Sequence, residues 1–303
     1  MKIPKSRTLS FLTNRPTRPT TLPDERIKSK LGSNYDTAWS RKYPVRLIRA
    51  MVIDSVVRPA IQLVAKPDTR NVDRIDGLSG PVIFAVNHSS HIDTAVMLSI
   101  LPDRFRHRCV VGAGADYFFD KRWKAALWSG LLSAIPIERN RAGRRSADLA
   151  SGLIRDGWSL LIFPEGGRSP DGLGQEFRGG VALLAQKTGA PIVPIYLEGT
   201  YDILNKNDKR FKPGTVMASY GSPISANDGR DPREVTIELQ RAVDRLADEF
   251  HTDFLQAARN AHSGGTPSLQ PSRRGWIELW DRSGLSVSRD SKRTGWPQRL
   301  IQR

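Results

Sequence analysis

The chain has 303 residues, 39% of them hydrophobic, enough for one core of roughly 180 to 220 residues with appendages. Its formal charge of +16 is unevenly placed: residues 1 to 72 contribute +10, residues 73 to 255 none and residues 256 to 303 +6. A neutral middle between basic ends favours an anionic partner, either a membrane surface or nucleic acid, and the single cysteine, Cys109, excludes an intrachain disulfide framework or thiolate metal cluster and suits a reducing compartment.

Residues 1 to 42 are rich in Thr, Pro, Lys and Arg without an apolar period and read as a basic flexible segment. They lack the apolar stretch of a secretory signal, so secretion is not expected. From Tyr43 to Val64 the spacing of Val45, Ile48, Met51, Val52, Val56 and Ile61 predicts an amphipathic helix, with Pro59 kinking or dividing it. Arg46, Arg49, Asp54 and Arg58 interrupt any run of about 18 apolar residues, so the segment 43 to 72 does not span a membrane. It suits two roles equally: lying on a membrane surface with its arginines reaching toward lipid phosphates, or packing on the catalytic domain.

Residues 73 to 255 form the expected catalytic domain. Strands are predicted at Pro81 to Val86, Cys109 to Gly112, Ser159 to Phe163, Pro191 to Leu197 and Thr215 to Tyr220. Helices are predicted at Thr94 to Leu101, Arg122 to Leu132, Arg145 to Arg155 and Gly180 to Lys187, and a long amphipathic helix carrying Val235, Leu239, Val243, Leu246 and Phe250 closes the domain. The alternation gives an α/β class: a mixed, largely parallel sheet flanked by helices, with an N-terminal amphipathic helical segment and chemistry at the carboxyl ends of strands. Residues 256 to 303 return to Ser, Gly, Pro and Arg and read as a basic, disordered tail, although Trp276, Trp280 and Trp296 beside arginines would equally suit a lipid headgroup region.

Four segments carry chemistry. Asn87-His88-Ser89-Ser90-His91-Ile92-Asp93 follows the first buried strand. A neutral imidazole is matched to removing a hydroxyl proton near pH 7, and a carboxylate on its other nitrogen fixes the tautomer. Five residues along a regular helix would put His88 and Asp93 on different faces, so a turn between them is required, with Ser89 or Ser90 as the cap of the following helix. A metal role for His88, His91 and Asp93 is disfavoured, because His107, His251 and His262 lie in unpromising contexts. The second segment is Ile135-Pro136-Ile137-Glu138-Arg139, and the third is Phe163-Pro164-Glu165-Gly166-Gly167-Arg168-Ser169. A glycine turn after a strand lets an anion approach main-chain N–H groups, and arginine grips phosphate, so Arg139 and Arg168 are candidates for a phosphate clamp. The fourth is Pro191-Ile192-Val193-Pro194, where Pro194 removes a ladder donor and predicts an edge or bulged strand.

In this order the four segments resemble the glycerolipid acyltransferase family of the lysophosphatidate acyltransferase type, over roughly residues 73 to 225. The resemblance rests on Asn87, His88 and Asp93, on Ile137-Glu138-Arg139, on Phe163 to Ser169 and on Pro191 to Pro194. Gly167 stands where the family often has Thr. The resemblance implies His88 as the base and Asp93 as its orienting partner. It implies that Arg139, Glu165, Gly166, Gly167, Arg168 and Ser169 bind the acyl acceptor and that Pro194 shapes the acyl-donor side, with His91 a spacer. The implied substrates are lysophosphatidate and a fatty acyl thioester on coenzyme A or acyl carrier protein, without cofactor or metal, at the cytoplasmic face of a membrane as a peripheral or monotopic protein. Another lysolipid acceptor is the nearest alternative; a noncatalytic membrane or nucleic-acid binder is the alternative of a different kind, and the neutral middle argues against nucleic acid. Trp123 to Ile137 is read as ordinary core helix before it is read as an acyl groove.

Overall fold

The computed structural model describes residues 32–138, 144–205, 210–227 and 229–270. The segment through residue 31, Arg139 and the tryptophans of the tail lie outside them. The predicted N-terminal helix is present as α1 (Tyr43–Val52), a π-helical turn (Ile53–Val57) and α2 (Arg58–Ala65). Pro59 does not end it: the wider turn just before the proline relieves the clash of its ring with the preceding coil. Then come β1 (Asp68–Arg70), β2 (Ile83–Val86), α3 (Asp93–Ile100), α4 (Asp103–Arg106), β3 (Cys109–Gly114), α5 (Ala115–Phe118), α6 (Arg122–Leu132) and β4 (Ala134–Ile137). The chain continues through α7 (Arg144–Arg155), β5 (Ser159–Ile162), α8 (Gly180–Thr188), β6 (Ile192–Glu198), α9 (Thr200–Ile203), β7 (Met217–Tyr220), α10 (Pro232–His251) and α11 (Phe254–Ser263).

Seven strands form one sheet in the order β1-β7-β6-β2-β5-β3-β4. Every neighbouring pair is parallel except β6 with β7. Both faces are covered, as a largely parallel sheet requires. Ile83 and Ala85 of β2 face a core shared with α7, α8 and α10. Phe84 and Val86 face a second core with α3 and the N-terminal helices. The alternation along β2 thus places the strand at the centre of the molecule, and its carboxyl end opens where the third segment's loop leaves β5.

Four expectations are corrected. β1 is a strand without an apolar run and β4 is a four-residue strand containing Pro136; neither was predicted. The domain does not stop at 255, because α11 crosses that boundary and packs Ala257 against α10. Pro194 sits on an interior strand, between β2 and β7. The bulge half of that expectation holds: Ile195 lies opposite Tyr220 but Ile192 pairs with Ile224, one residue more on the second strand. Gly221 lies at this irregularity and donates to the Pro194 carbonyl; a Cβ there would come within 2.6 Å of the Pro194 ring, so only glycine fits.

The N-terminal helices are packed on the domain, the π-turn and α2 through Ile53, Ile61 and Ala65, whereas α1 turns an arginine inward. Arg49 is buried, donating to the Ser40 carbonyl at 2.8 Å and to that of Gly130 at 3.4 Å, and burial lowers its pKa to about 10. Asp54 in the π-turn meets Arg106 at 3.1 Å and His107 at 3.4 Å, which fastens the segment to α4. Tyr43, Leu47, Ile48 and Met51 face outward instead.

Candidate active site

β2, β4, β5 and β6 run parallel, so their carboxyl ends lie at one end of the sheet, where the first and third predicted segments follow β2 and β5 and the second runs out of β4; the fourth lies at the start of β6 itself. β2 ends at Val86, and Asn87 extends it with its side chain. The Asn87 amide donates to the Leu197 carbonyl at 2.9 Å and accepts from the Leu197 N–H at 2.7 Å, copying one rung of a ladder onto β6. The backbone is then free to turn.

That turn closes around Asp93, which is fully buried at the first position of α3. Its Oδ2 accepts from the main-chain N–H groups of Ser89 at 2.9 Å and Ser90 at 2.8 Å and bonds the His88 Nδ1 at 2.7 Å. The expected turn is therefore present, but the serines do not cap α3 with their hydroxyls; their N–H groups cap the aspartate. Ser89 Oγ is hydrogen-bonded to Thr200 Oγ1 instead, at 3.0 Å. Because Oδ2 accepts from two N–H groups, the proton shared with His88 belongs to Nδ1. Nε2 then carries the lone pair. The imidazole stacks on Phe163, centroids 4.0 Å apart and planes 20° from parallel, so its orientation is fixed by a ring below and a carboxylate beside. Its side chain remains 18% exposed.

The loop after β5 grips the main chain of His88 from both sides. Glu165 Oε1 accepts from the His88 N–H at 2.9 Å, and Ser169 N–H donates to the His88 carbonyl at 2.8 Å. Glu165 is 3% exposed and its Oε2 is buried without a well-formed hydrogen bond. Burial, with the Asp93 charge adding to it, pushes the carboxyl to about 8, so it is a neutral acid at pH 7. The Ser169 hydroxyl is spent on Asp171 at 2.7 Å. Glu165 and Ser169 thus brace His88, the Glu165 side chain and the Ser169 hydroxyl both being turned inward. Gly166 has φ +74, and a Cβ there would lie 2.7 Å from Arg178 Nε, so an arginine that the sequence reading missed arches over the turn.

Arg168 meets His91, whose Nε2 is its hydrogen-bond acceptor. Burial first, then Arg168 and His88, lower the His91 pKa, which keeps it a neutral acceptor. His91 is accordingly a positioning partner of Arg168 and not a spacer. Pro194 is buried opposite Ala85, three residues short of His88, with its ring against Gly221. Its influence on the site runs through the sheet. Asn87, Phe163 and the two serine N–H groups were unassigned in the sequence; the only signal for the first was its place immediately before the histidine.

A family model, Acyltransferase, matches residues 64–198 and so takes in the dyad and both gripping contacts. The chain is 28% identical over 203 residues to the mouse 1-acyl-sn-glycerol-3-phosphate acyltransferase alpha, covering 66% of this chain and 67% of that protein. The human protein of that name is 28% identical over 196 residues, covering 64% and 65%. A coconut 1-acyl-sn-glycerol-3-phosphate acyltransferase is 36% identical over 161 residues, covering 50% and 48%. The chain therefore spans about two thirds of the mammalian relatives' length and about half of the coconut one's. In fold, the crystal structure of the Thermotoga maritima 1-acyl-sn-glycerophosphate acyltransferase PlsC superposes with a TM-score of 0.54 at 22% identity, over 72% of this chain and 84% of that one. Over residues 64–198, a little under half of its length, the chain is thus similar to the acyltransferase family.

Proposed function

We propose that the chain transfers a fatty acyl group from an acyl thioester to the free hydroxyl of 1-acyl-glycerol 3-phosphate, giving phosphatidate. The observation that carries the reading is the oriented imidazole: Nδ1 tied to a fully buried Asp93 at 2.7 Å and Nε2 left for a substrate proton. His88 Nε2 takes the acceptor's hydroxyl proton as the oxygen attacks the thioester carbonyl. The tetrahedral adduct then expels sulfur, the C–S bond breaks, and the imidazolium returns its proton to the thiolate. Asp93 stabilises the imidazolium between these steps. No covalent acyl-enzyme is needed and no cofactor is called for, because the acyl group arrives activated by coenzyme A or acyl carrier protein.

Arg168, held by His91 beside the Gly166-Gly167 turn, is the described cation that suits the acceptor's phosphate; the names of the curated relatives support that acceptor. A lipid substrate also needs an approach from a bilayer, at its cytoplasmic face in this reading. No helix among the described residues is long and apolar enough to cross one. The outward Tyr43, Leu47, Ile48 and Met51 of α1 lie beside α6, whose Trp123, Leu127 and Leu131 are exposed as well. Such an apolar face with basic flanks suits shallow immersion in an anionic surface. α6 is thus half core and half surface, buried through Ala125 and Ser129.

The test is His88→Ala, assayed with lysophosphatidate and an acyl thioester by identification of the lipid product. Turnover is abolished while the unfolding transition stays where it was, since the ring is partly exposed. Retention of most activity overturns the mechanism.

A further inference from the structure

Beyond α11 the chain turns at Gly264 (φ +72) and returns toward the sheet. There Leu269 is held at both ends of its peptide. Its N–H donates to the buried Asp244 Oδ1 of α10 at 3.0 Å, and its carbonyl accepts from Gly174 N–H at 2.8 Å. Its side chain packs on the core that contains Phe177. The approach is as close as it can be: a Cβ on Gly174 would lie 2.8 Å from the Leu269 Cβ and 3.3 Å from its carbonyl carbon.

Gly174 belongs to the loop that runs from Ser169 to α8, and the contacts continue inward from it. The neighbouring Gln175 donates through Nε2 to the Gly167 carbonyl at 3.4 Å, and its main-chain N–H faces the Glu165 carboxyl. Two residues on, Phe177 N–H donates to Gln240 Oε1 of α10 at 3.1 Å. Glu165 in turn holds the His88 N–H, and Ser169 holds its carbonyl. The links are directional bonds, some within the loop and some from loop to scaffold, so displacement at the outer end is passed to the base.

We infer that Leu269 and Gln175 are positioning residues: the returning segment pins the loop at Gly174, and the pinned loop holds the catalytic histidine in register. This rests on the reading of His88 as the base. Neither residue touches the reacting atoms. A displacement near 1 Å at a base costs up to about a hundredfold in turnover, so a partial loosening here is expected to cost about tenfold.

The experiment uses the full chain and three variants, Gly174→Ala, Gly174→Ala with Leu269→Gly, and Gln175→Ala, with His88→Ala as reference. Gly174→Ala forces Leu269 away; kcat is expected to fall about tenfold while KM for the lysolipid stays within about twofold. Removing the Leu269 side chain in that background relieves the collision and restores kcat at least in part, whereas a role in stability alone would make the double variant worse. Gln175→Ala lowers kcat without moving the unfolding transition, which keeps the test decisive if Gly174→Ala does not fold. Unchanged kcat in the folded variants, or a fall in which KM and the unfolding transition move together without rescue, overturns the inference. If His88→Ala stays active, it is the base assignment that fails; if it is inactive while the loop variants are normal, only the positioning role fails.

Discussion

Glu165→Gln tests whether the carboxyl beneath His88 is a neutral acid. Gln keeps an oxygen to accept from the His88 N–H but cannot ionise. Burial raises the Glu165 carboxyl from 4.5 to about 8 in the folded protein. A value raised on folding means that its contribution to stability is fully present below about 4.5 and is lost as pH rises toward about 8, because the unfolded chain ionises first. Over an interval of roughly 3.5 pH units, at about 1.4 kcal/mol each, the loss is bounded at about 5 kcal/mol. Urea unfolding of both proteins between about pH 5 and about pH 9 reads this directly. The variant should gain on the wild type from about pH 5 to about pH 8 and hold that gain unchanged above it. Parallel curves would refute the neutral acid, and a wild type that gains with pH would reverse the sign of the argument.

Three further outcomes are expected. Asn87→Ala removes both bonds to Leu197 and leaves the Leu197 N–H without its partner, a loss of about 2 kcal/mol in denaturant unfolding; a change near zero would show that the side chain is not the rung it resembles. Arg168→Ala should raise KM for lysophosphatidate about tenfold with a smaller effect on kcat, and an unchanged KM would remove Arg168 from the phosphate site. Ile48→Asp with Met51→Asp places two charges on the outward face of α1. Sedimentation with anionic vesicles should then show weakened binding, while turnover of a short-chain, water-soluble acceptor is retained; undiminished vesicle binding would place the lipid contact elsewhere.

The strands that carry the site were legible because they are buried on both faces, and Ile83 to Val86 or Ile192 to Leu197 therefore read as unbroken apolar runs. β1, the edge strand Asp-Thr-Arg, has no such run and is invisible to any period. α11 was hidden by composition, since Gln, Asn, Arg and His on its exposed faces resemble a tail. At the site the pairing of His88 with Asp93 was readable from residue types, but the direction of a side chain was not wherever burial decides it. Glu165 beside glycine and arginine looks like a ligand for substrate until its side chain is found turned inward onto the histidine's own backbone. Arg49 in an amphipathic helix likewise looks like a surface cation, and only the Ser40 and Gly130 carbonyls show that it points in.

The central place of β2 has a consequence for how the chain acquires its shape. Both neighbours of β2 come late: Ile83 pairs with Leu160 on one side and Ile192 on the other. Contacts this distant in sequence close slowly, because loop entropy is lost before any pairing rewards it. On the ribosome, the N-terminal helices, with their outward apolar face, and the histidine segment emerge well before β5 and β6 exist to hold them. The His88–Asp93 turn is therefore assembled among the last features of the sheet, and the interval before its closure is when a nascent chain of this design most needs a chaperone or a membrane surface against its first helix.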